Sequence, residues 1–454
     1  MVSKKQKIDR LKQNQIRWKK MKTKEELKDE IYAKVTQYYK LFLNKEIKGV
    51  PVSGKKYDEN EIIAIVDAAL DGWWTEGEVT NKFEKKFCGY LGVKYTIVVN
   101  SGSSANLLAL KTLTSQKLGE RRLKEGDEVI TVAAGFPTTI NPIIQYNCIP
   151  VFCDMDLPTY SINIEQLKKA VSRKTKAIFL AHTLGNPFNV DEVVKLCKKN
   201  NLWLIEDNCD SLGSKYNNQL TGTFGDLSTH SFYPAHHITM GEGGAVCTNN
   251  NELANIARSI RDWGRDCWCQ TGQDNSCRKR FEWKLGELPY GYDHKYIYSE
   301  IGYNLKNTDL NVAIGLAQME KLNGFIEIRK RNFALLKDKL SKFQEYSILP
   351  EATENSDPSW FGFLITLKDN CPFARTDLLK YLNENNIGTR LLFGGNITKQ
   401  PYFIENKIEY RVVDHLKNTD FIMNNTFWIG VYPGITDEMI THIIKKFEKF
   451  LNFI

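Results

Sequence analysis

The sequence predicts an α/β fold with a mostly parallel central sheet, helices on both faces and a smaller α/β unit toward the C-terminus. Three observations carry that expectation. From about residue 60, short apolar runs alternate with stretches of helical periodicity, as buried strands joined by covering helices do. The first run, 96–100, ends in the small-residue turn Ser101-Gly102 and leads directly into a helical run at 103–113. The 454-residue chain is also 42% hydrophobic and 26% charged. That balance can bury a sizeable interior, and it excludes a disordered tail, a collagen-like fibre and a disulfide-stapled miniprotein.

The chain opens with an arm at 1–54. Residues 1–50 hold 15 Lys and Arg against 6 Asp and Glu, while the whole chain is only +8. The cations therefore belong to the arm and the body is close to neutral, which argues against a broad nucleic-acid-binding face. Ile16, Met21, Leu27, Ile31 and Val35 punctuate the Lys-rich run, as in a solvated helix, and no unbroken apolar segment marks a signal peptide. Residues 129–153 carry no charge, but Pro137, Pro142 and Pro150 with Asn141, Gln145 and Asn147 speak against a membrane span and for buried strands joined by a turn. A cytoplasmic protein is expected.

Further strands are expected at 176–181, 202–205, 227–232 and 245–248, with a helix at 190–199. An aromatic, cysteine-rich insert occupies about 262–298. Gly302-Tyr303-Asn304, a helix through Leu316 and Met319, and a long charged helix at 325–340 follow it. These features divide the chain into the arm, a large unit at 55–324 and a small unit at 325–454.

Ten cysteines in a cytoplasmic chain point to thiols or metal ligands rather than disulfides. Cys88, Cys148, Cys153, Cys197, Cys247 and Cys371 are scattered, mostly among apolar neighbours, and read as core residues. Cys209, Cys267, Cys269 and Cys277 have the spacing C-x57-C-x-C-x7-C. Four thiolates brought together can hold zinc or an iron–sulfur cluster, and the spacing leaves both open.

Polar clusters stand at three strand ends, where ligands collect in such sheets. Asn100-Ser101-Gly102-Ser103-Ser104-Ala105 turns a strand into a helix, whose free amides and dipole can hold a phosphate, although Ser at a helix start is often only a cap. Glu206-Asp207-Asn208-Cys209-Asp210 ends a buried strand in acidic groups, and a buried carboxylate needs a partner. Ser231-Phe232-Tyr233-Pro234-Ala235-His236-His237 ends a third strand in groups able to move protons.

Together and in this order, the three clusters resemble the sugar aminotransferase family of fold-type I pyridoxal-phosphate enzymes, which act on nucleotide-linked keto sugars. The resemblance implies that Gly102, Ser103, Ser104 and Ser231 hold the cofactor phosphate, that Phe136 lies on the cofactor ring and that Asp207 faces its pyridine nitrogen. Asp210 falls near the cofactor's hydroxyl, where the family usually has glutamine. Asn304 would reach the phosphate bound by a partner subunit, so a homodimer is expected.

One departure is informative. The family's motif reads Ser-Phe-Tyr-Pro-Thr-Lys-Asn, and its lysine forms the internal Schiff base; here that position is His236. Imidazole makes no stable imine, so ordinary transamination should fail, yet it can still move protons near neutral pH. This replacement and the cysteine spacing together resemble the 3-dehydratase subgroup that acts on CDP-4-keto-6-deoxyglucose in 3,6-dideoxysugar formation. That resemblance implies non-covalent pyridoxamine 5′-phosphate, His236 as the base, and a 2Fe–2S cluster on Cys209, Cys267, Cys269 and Cys277. It also implies a separate NAD(P)H-dependent flavin or iron–sulfur reductase, because Gly241-Glu242-Gly243-Gly244 is too short to be a dinucleotide fingerprint. An aminotransferase using another lysine and a catalytically silent sugar-nucleotide-binding protein are the competing readings.

Overall fold

A computed structural model describes residues 22–452 apart from 46 and 270. Seven strands form the body of the large sheet: β1 (Tyr95–Val99), β2 (Glu128–Val132), β3 (Ile149–Cys153), β4 (Thr175–Ala181), β5 (Trp203–Asp207), β6 (Leu227–Ser231) and β7 (Gly244–Thr248). Their order is β1-β7-β6-β5-β4-β2-β3, with Arg411–Val412 added beyond β3 as the eighth strand. All pairings are parallel except those of β7, which runs antiparallel to β1 and β6. Because β7 is reversed, its first residue, Gly244, lies opposite both Val99 and Ser231. The last residues of β1 and β6 and the first of β7 therefore meet at one end of the sheet.

The strands are apolar nearly throughout because both faces are covered. Side chains alternate between the faces: Ile97 and Val99 join one core with Leu108, Ile205 and Val246, and Val98 joins another with Phe83, Phe232 and Met240. Four of the six scattered cysteines, Cys148, Cys153, Cys197 and Cys247, are buried as expected, whereas Cys88 and Cys371 are half-buried.

The uncharged stretch at 129–153 departs from expectation. Its two strands are joined by a helix, Pro137–Gln145, rather than by a turn. Pro137 occupies the first helical turn, where its missing N–H costs nothing and its fixed φ suits the helix. Ile140 and Ile143 are buried on one side, and uncharged polar residues on the other hid the helical period.

The arm is helical over α1 (Lys24–Tyr38), capped by Thr23, whose hydroxyl accepts from the Glu26 amide at 3.1 Å while the Glu26 carboxylate accepts from the Thr23 amide at 2.7 Å. No residue of α1 is buried, in keeping with a solvated helix, but Lys28 and Tyr32 both donate to Asp67 of α2 (Glu59–Leu70). Ile16 and Met21 lie outside the described residues. In the C-terminal part, Ser347–Ile348, Gly362–Leu367 and Thr426–Gly430 form a three-stranded antiparallel sheet. It shares a core with the long helix Leu322–Leu340, in which the rings of Phe333 and Trp360 stack 3.7 Å apart. Among the described residues, no helix is long and apolar enough to cross a membrane.

Candidate active site

The helix Gly102–Thr112 starts at the end of β1, and Ser101 caps it by accepting from the Ser104 amide at 3.0 Å. The remaining first-turn amides have no partner within a helix, which makes such a start a natural anion site. Close approach is built in: a Cβ on Gly102 would lie 2.4 Å from the Ser231 Cβ and 2.7 Å from its Oγ, and one on Gly244 would lie 2.4 Å from the Ser101 carbonyl oxygen. Gly102 and Ser231 thus meet closely at the start of the helix that also carries Ser103 and Ser104.

Beside it, β5 ends in two carboxylates with different fates. Glu206 is fully buried and wholly spoken for, accepting from the amides of Gly222, Phe224 and Gly225 and facing His182 Nε2 at 3.1 Å. Asp207 is held in place instead. Its Oδ2 accepts from Asn106 Nδ2 at 2.9 Å and Thr139 Oγ1 at 2.7 Å, and its Oδ1 accepts from the Cys209 amide at 3.1 Å. Those three bonds fix the orientation of the carboxylate.

Next along the chain, Asp210 Oδ1 lies 3.4 Å from His236 Nδ1. Burial first, and the nearby Asp207 charge second, push the Asp210 carboxyl up to about 8. Burial and the Arg329 guanidinium push the His236 imidazole down to about 3. The two shifts agree, since each favours the uncharged form of its group, and the one on His236 opposes its protonation as long as its surroundings stay as they are here. His237, its neighbour in sequence, is a core residue whose Nε2 meets the Ser359 carbonyl at 2.6 Å.

Sequence reasoning missed the group that holds this loop. Arg329 is fully buried in the long helix, and its Nη2 donates to the carbonyls of Ala235 (3.4 Å) and His236 (3.2 Å), while Nη1 donates to Trp360 (3.3 Å) and Phe361 (3.4 Å). The Phe361 ring, 5.2 Å from that of His236, closes one side. Asn106 and Thr139 were missed as well. Phe136, at the start of the helix after β2, is exposed and packs edge-on against Phe393 at 5.9 Å. Asn304 is also exposed, in the segment whose Leu305 carbonyl accepts from Asn100 at 2.8 Å.

The cysteines correct the four-thiol expectation for a single chain. In the insert, the Cys269 amide donates to Cys267 Sγ at 3.4 Å, and Cys277 joins both around a small cavity with His294. Cys209 is elsewhere, beside Asp207, Asp210 and Thr229, where burial and the two carboxyls push its thiol well up. Among the described residues, no set of three or more His, Cys, Asp or Glu is arranged to hold a metal ion. Three of the four thiols converge and the fourth does not, so one chain as folded does not fit a four-thiolate cluster.

The mostly parallel sheet with its reversed β7 and covering helices is that of fold-type I pyridoxal-phosphate enzymes. Residues 55–448 match the DegT/DnrJ/EryC1/StrS aminotransferase family, and the chain belongs to it. It is 56% identical over 438 residues to the lipopolysaccharide biosynthesis protein RfbH of Salmonella typhimurium, covering 95% of this chain and all of that protein. It is 54% identical to the dTDP-4-dehydro-2,6-dideoxy-D-glucose 3-dehydratase of Saccharopolyspora spinosa, covering 88% of this chain and 86% of the relative. Among solved structures, the Escherichia coli GDP-4-keto-6-deoxy-D-mannose-3-dehydratase with bound hydrated PLP matches with a TM-score of 0.78 and 31% identity, over 88% of this chain and 100% of that one.

Proposed function

We propose that the chain removes the C3 hydroxyl of a nucleotide-linked 4-keto-6-deoxyhexose, using pyridoxamine 5′-phosphate held without a covalent link. The observation that carries this reading is His236, an uncharged imidazole that stands where the family has its anchoring lysine. The 3-dehydratase names of the relatives and the hydrated PLP of the structural neighbour support it. CDP as the nucleotide rests on the resemblance to the 3-dehydratase subgroup alone.

When bound, pyridoxamine phosphate supplies an amine that engages the C4 ketone and a ring that accepts electrons. Gly102, Ser103, Ser104 and Ser231 would hold its phosphate, and Phe136 would lie on the ring side. Asp207, oriented by Asn106 and Thr139, would keep the ring nitrogen protonated, and Asp210 would stand near the ring hydroxyl. His236 would be the group that takes a proton at the aminomethyl carbon, and the chemistry so supplied would be loss of the substrate's C3 hydroxyl as water. Asn304 serves the phosphate site of a second subunit. The dehydrated sugar is two electrons short of the deoxy product, and a separate reductase would supply them, with a 2Fe–2S cluster as the relay that the resemblance implies. Cys267, Cys269 and Cys277, which line one small cavity of the insert, would be its ligands from that segment.

His236→Asn tests the assignment. The variant should retain pyridoxamine phosphate at wild-type stoichiometry and release no water from a CDP-4-keto-6-deoxyhexose, followed by deuterium exchange at the aminomethyl carbon. Turnover at the wild-type rate would remove His236 as the base.

A further inference from the structure

We infer that Phe393 is a positioning residue for the cofactor: its ring holds that of Phe136 in place, and the backbone adopts a strained conformation to put it there. The inference rests on the reading that Phe136 lies on the ring side of pyridoxamine phosphate.

Phe136 stands between the end of β2 and the helix Pro137–Gln145, and it is 47% exposed. A ring placed so openly turns about its side-chain bonds unless a neighbour limits it. Among the described residues it meets one other ring, that of Phe393, at 5.9 Å and 80°, the edge-on arrangement that aromatic pairs favour. Phe393 belongs to a segment stretched between the two main sheets. At one end the Arg390 amide donates to the Trp428 carbonyl at 3.1 Å, and Trp428 Nε1 donates to the Leu391 carbonyl at 3.1 Å, which ties the segment to the three-stranded sheet. At the other end the Gly394 amide donates to the Gly135 carbonyl at 3.4 Å, and the Ile397 amide donates to the Ala133 carbonyl at 3.0 Å. The backbone beside Phe393 is thus fastened to the backbone just before Phe136, and the two rings are set against each other from both sides.

The backbone at Phe393 has a φ of +44°, in the left-handed region where a bulky side chain is an outlier. Glycine takes that conformation at no steric cost. Gly394 and Gly395 follow directly, and Gly395 has a φ of +63°. A turn that needed only its backbone path would carry glycine at 393 as it does at 395. The chain places a half-buried phenyl group there instead. Strain of this kind persists where the surroundings hold it, and it gathers where ligands are gripped. What the phenyl group gains is its contact with Phe136, an exposed ring that cannot fix its own orientation.

The test reads three properties of the full chain: thermal unfolding without cofactor, equilibrium dialysis with pyridoxamine phosphate, and the near-ultraviolet circular dichroism of the bound cofactor. Phe393→Gly relieves the backbone and should unfold no earlier than the wild type. It should nonetheless bind pyridoxamine phosphate about three- to tenfold more weakly and lose most of the induced dichroism. Phe393→Tyr keeps the ring and should match the wild type in both. Phe136→Ala should show the losses of Phe393→Gly, and the double variant should lose no more than either, because the two residues act as one unit. Wild-type binding and dichroism in Phe393→Gly, beside losses in Phe136→Ala, would overturn the inference and leave the ring-side reading of Phe136 standing. Wild-type values in Phe136→Ala would end that reading and the inference with it. Phe393→Asn, whose side chain also tolerates the left-handed region, repeats the test should the glycine variant misfold. Loss of the fold in both would make Phe393 a packing residue and overturn the inference.

Discussion

Gly102→Ala adds a single methyl group at the crowded start of the helix Gly102–Thr112. The new Cβ would lie 2.4 Å from the Ser231 Cβ, 2.7 Å from its Oγ and 3.1 Å from its Cα. The last of these is backbone of a central strand, so the contact cannot be relieved by a rotamer change. Overpacking of this kind costs about 1–3 kcal/mol, against which alanine's better helix propensity returns at most about 1 kcal/mol. The same substitution at Gly89 is a matched control. That glycine lies at an exposed position of the helix Glu78–Leu91, has no atom within 4 Å of an added Cβ and no positive φ, so Gly89→Ala should stabilise by about 0.5–1 kcal/mol. Urea or thermal unfolding of both variants reads the stability, and equilibrium dialysis with pyridoxamine phosphate reads the site. Gly102→Ala should lose stability and bind the cofactor at least tenfold more weakly, and Ser231→Gly in the same chain should restore part of the stability. Wild-type affinity in Gly102→Ala, or equal stability changes at Gly102 and Gly89, would refute this helix start as the phosphate site.

Two other substitutions probe the scaffold. Arg329→Met leaves four buried carbonyls without their donor, so it should destabilise by at least about 2 kcal/mol and lower kcat with little change in KM; Arg329→Lys should recover part of kcat, and an unchanged kcat in both variants would show that the His236 loop holds itself. Glu128 is bound bidentately by Arg411 at 2.9 and 2.7 Å; although burial opposes it, the bonds from Arg411, Ser172 and Thr175 hold its carboxyl below the ordinary value. A depressed carboxyl contributes stability above its unfolded pKa and loses it as pH falls, so the wild type should lose more stability than Glu128→Gln on acidification below about pH 4.5, and parallel unfolding curves would contradict this.

Much of the fold was legible because buried strands and amphipathic helices leave periods in the sequence. The strand ends were legible too: Gly102, Asp207, Ser231 and His236 stand in local motifs whose residue types already suggest phosphate, cation and proton. What escaped notice depends on contacts between distant segments. Arg329 lies among charged residues on a long helix and looks like solvated surface, until packing buries it under the His236 loop. Asn106 and Thr139 are ordinary helix residues until Asp207 sits between them. The helix at 137–145 has no charged face to display its period, so its prolines read as a turn. The cysteine spacing grouped four thiols that the chain separates, because spacing counts residues and not strands.

The central claim is that an imidazole in the lysine position leaves the coenzyme unattached. Intact-mass spectrometry after borohydride reduction tests it directly, on protein saturated with pyridoxal phosphate. The wild type should keep its unmodified mass, and His236→Lys should gain one reduced cofactor at that position. A reduced adduct on any side chain of the wild type would contradict the account.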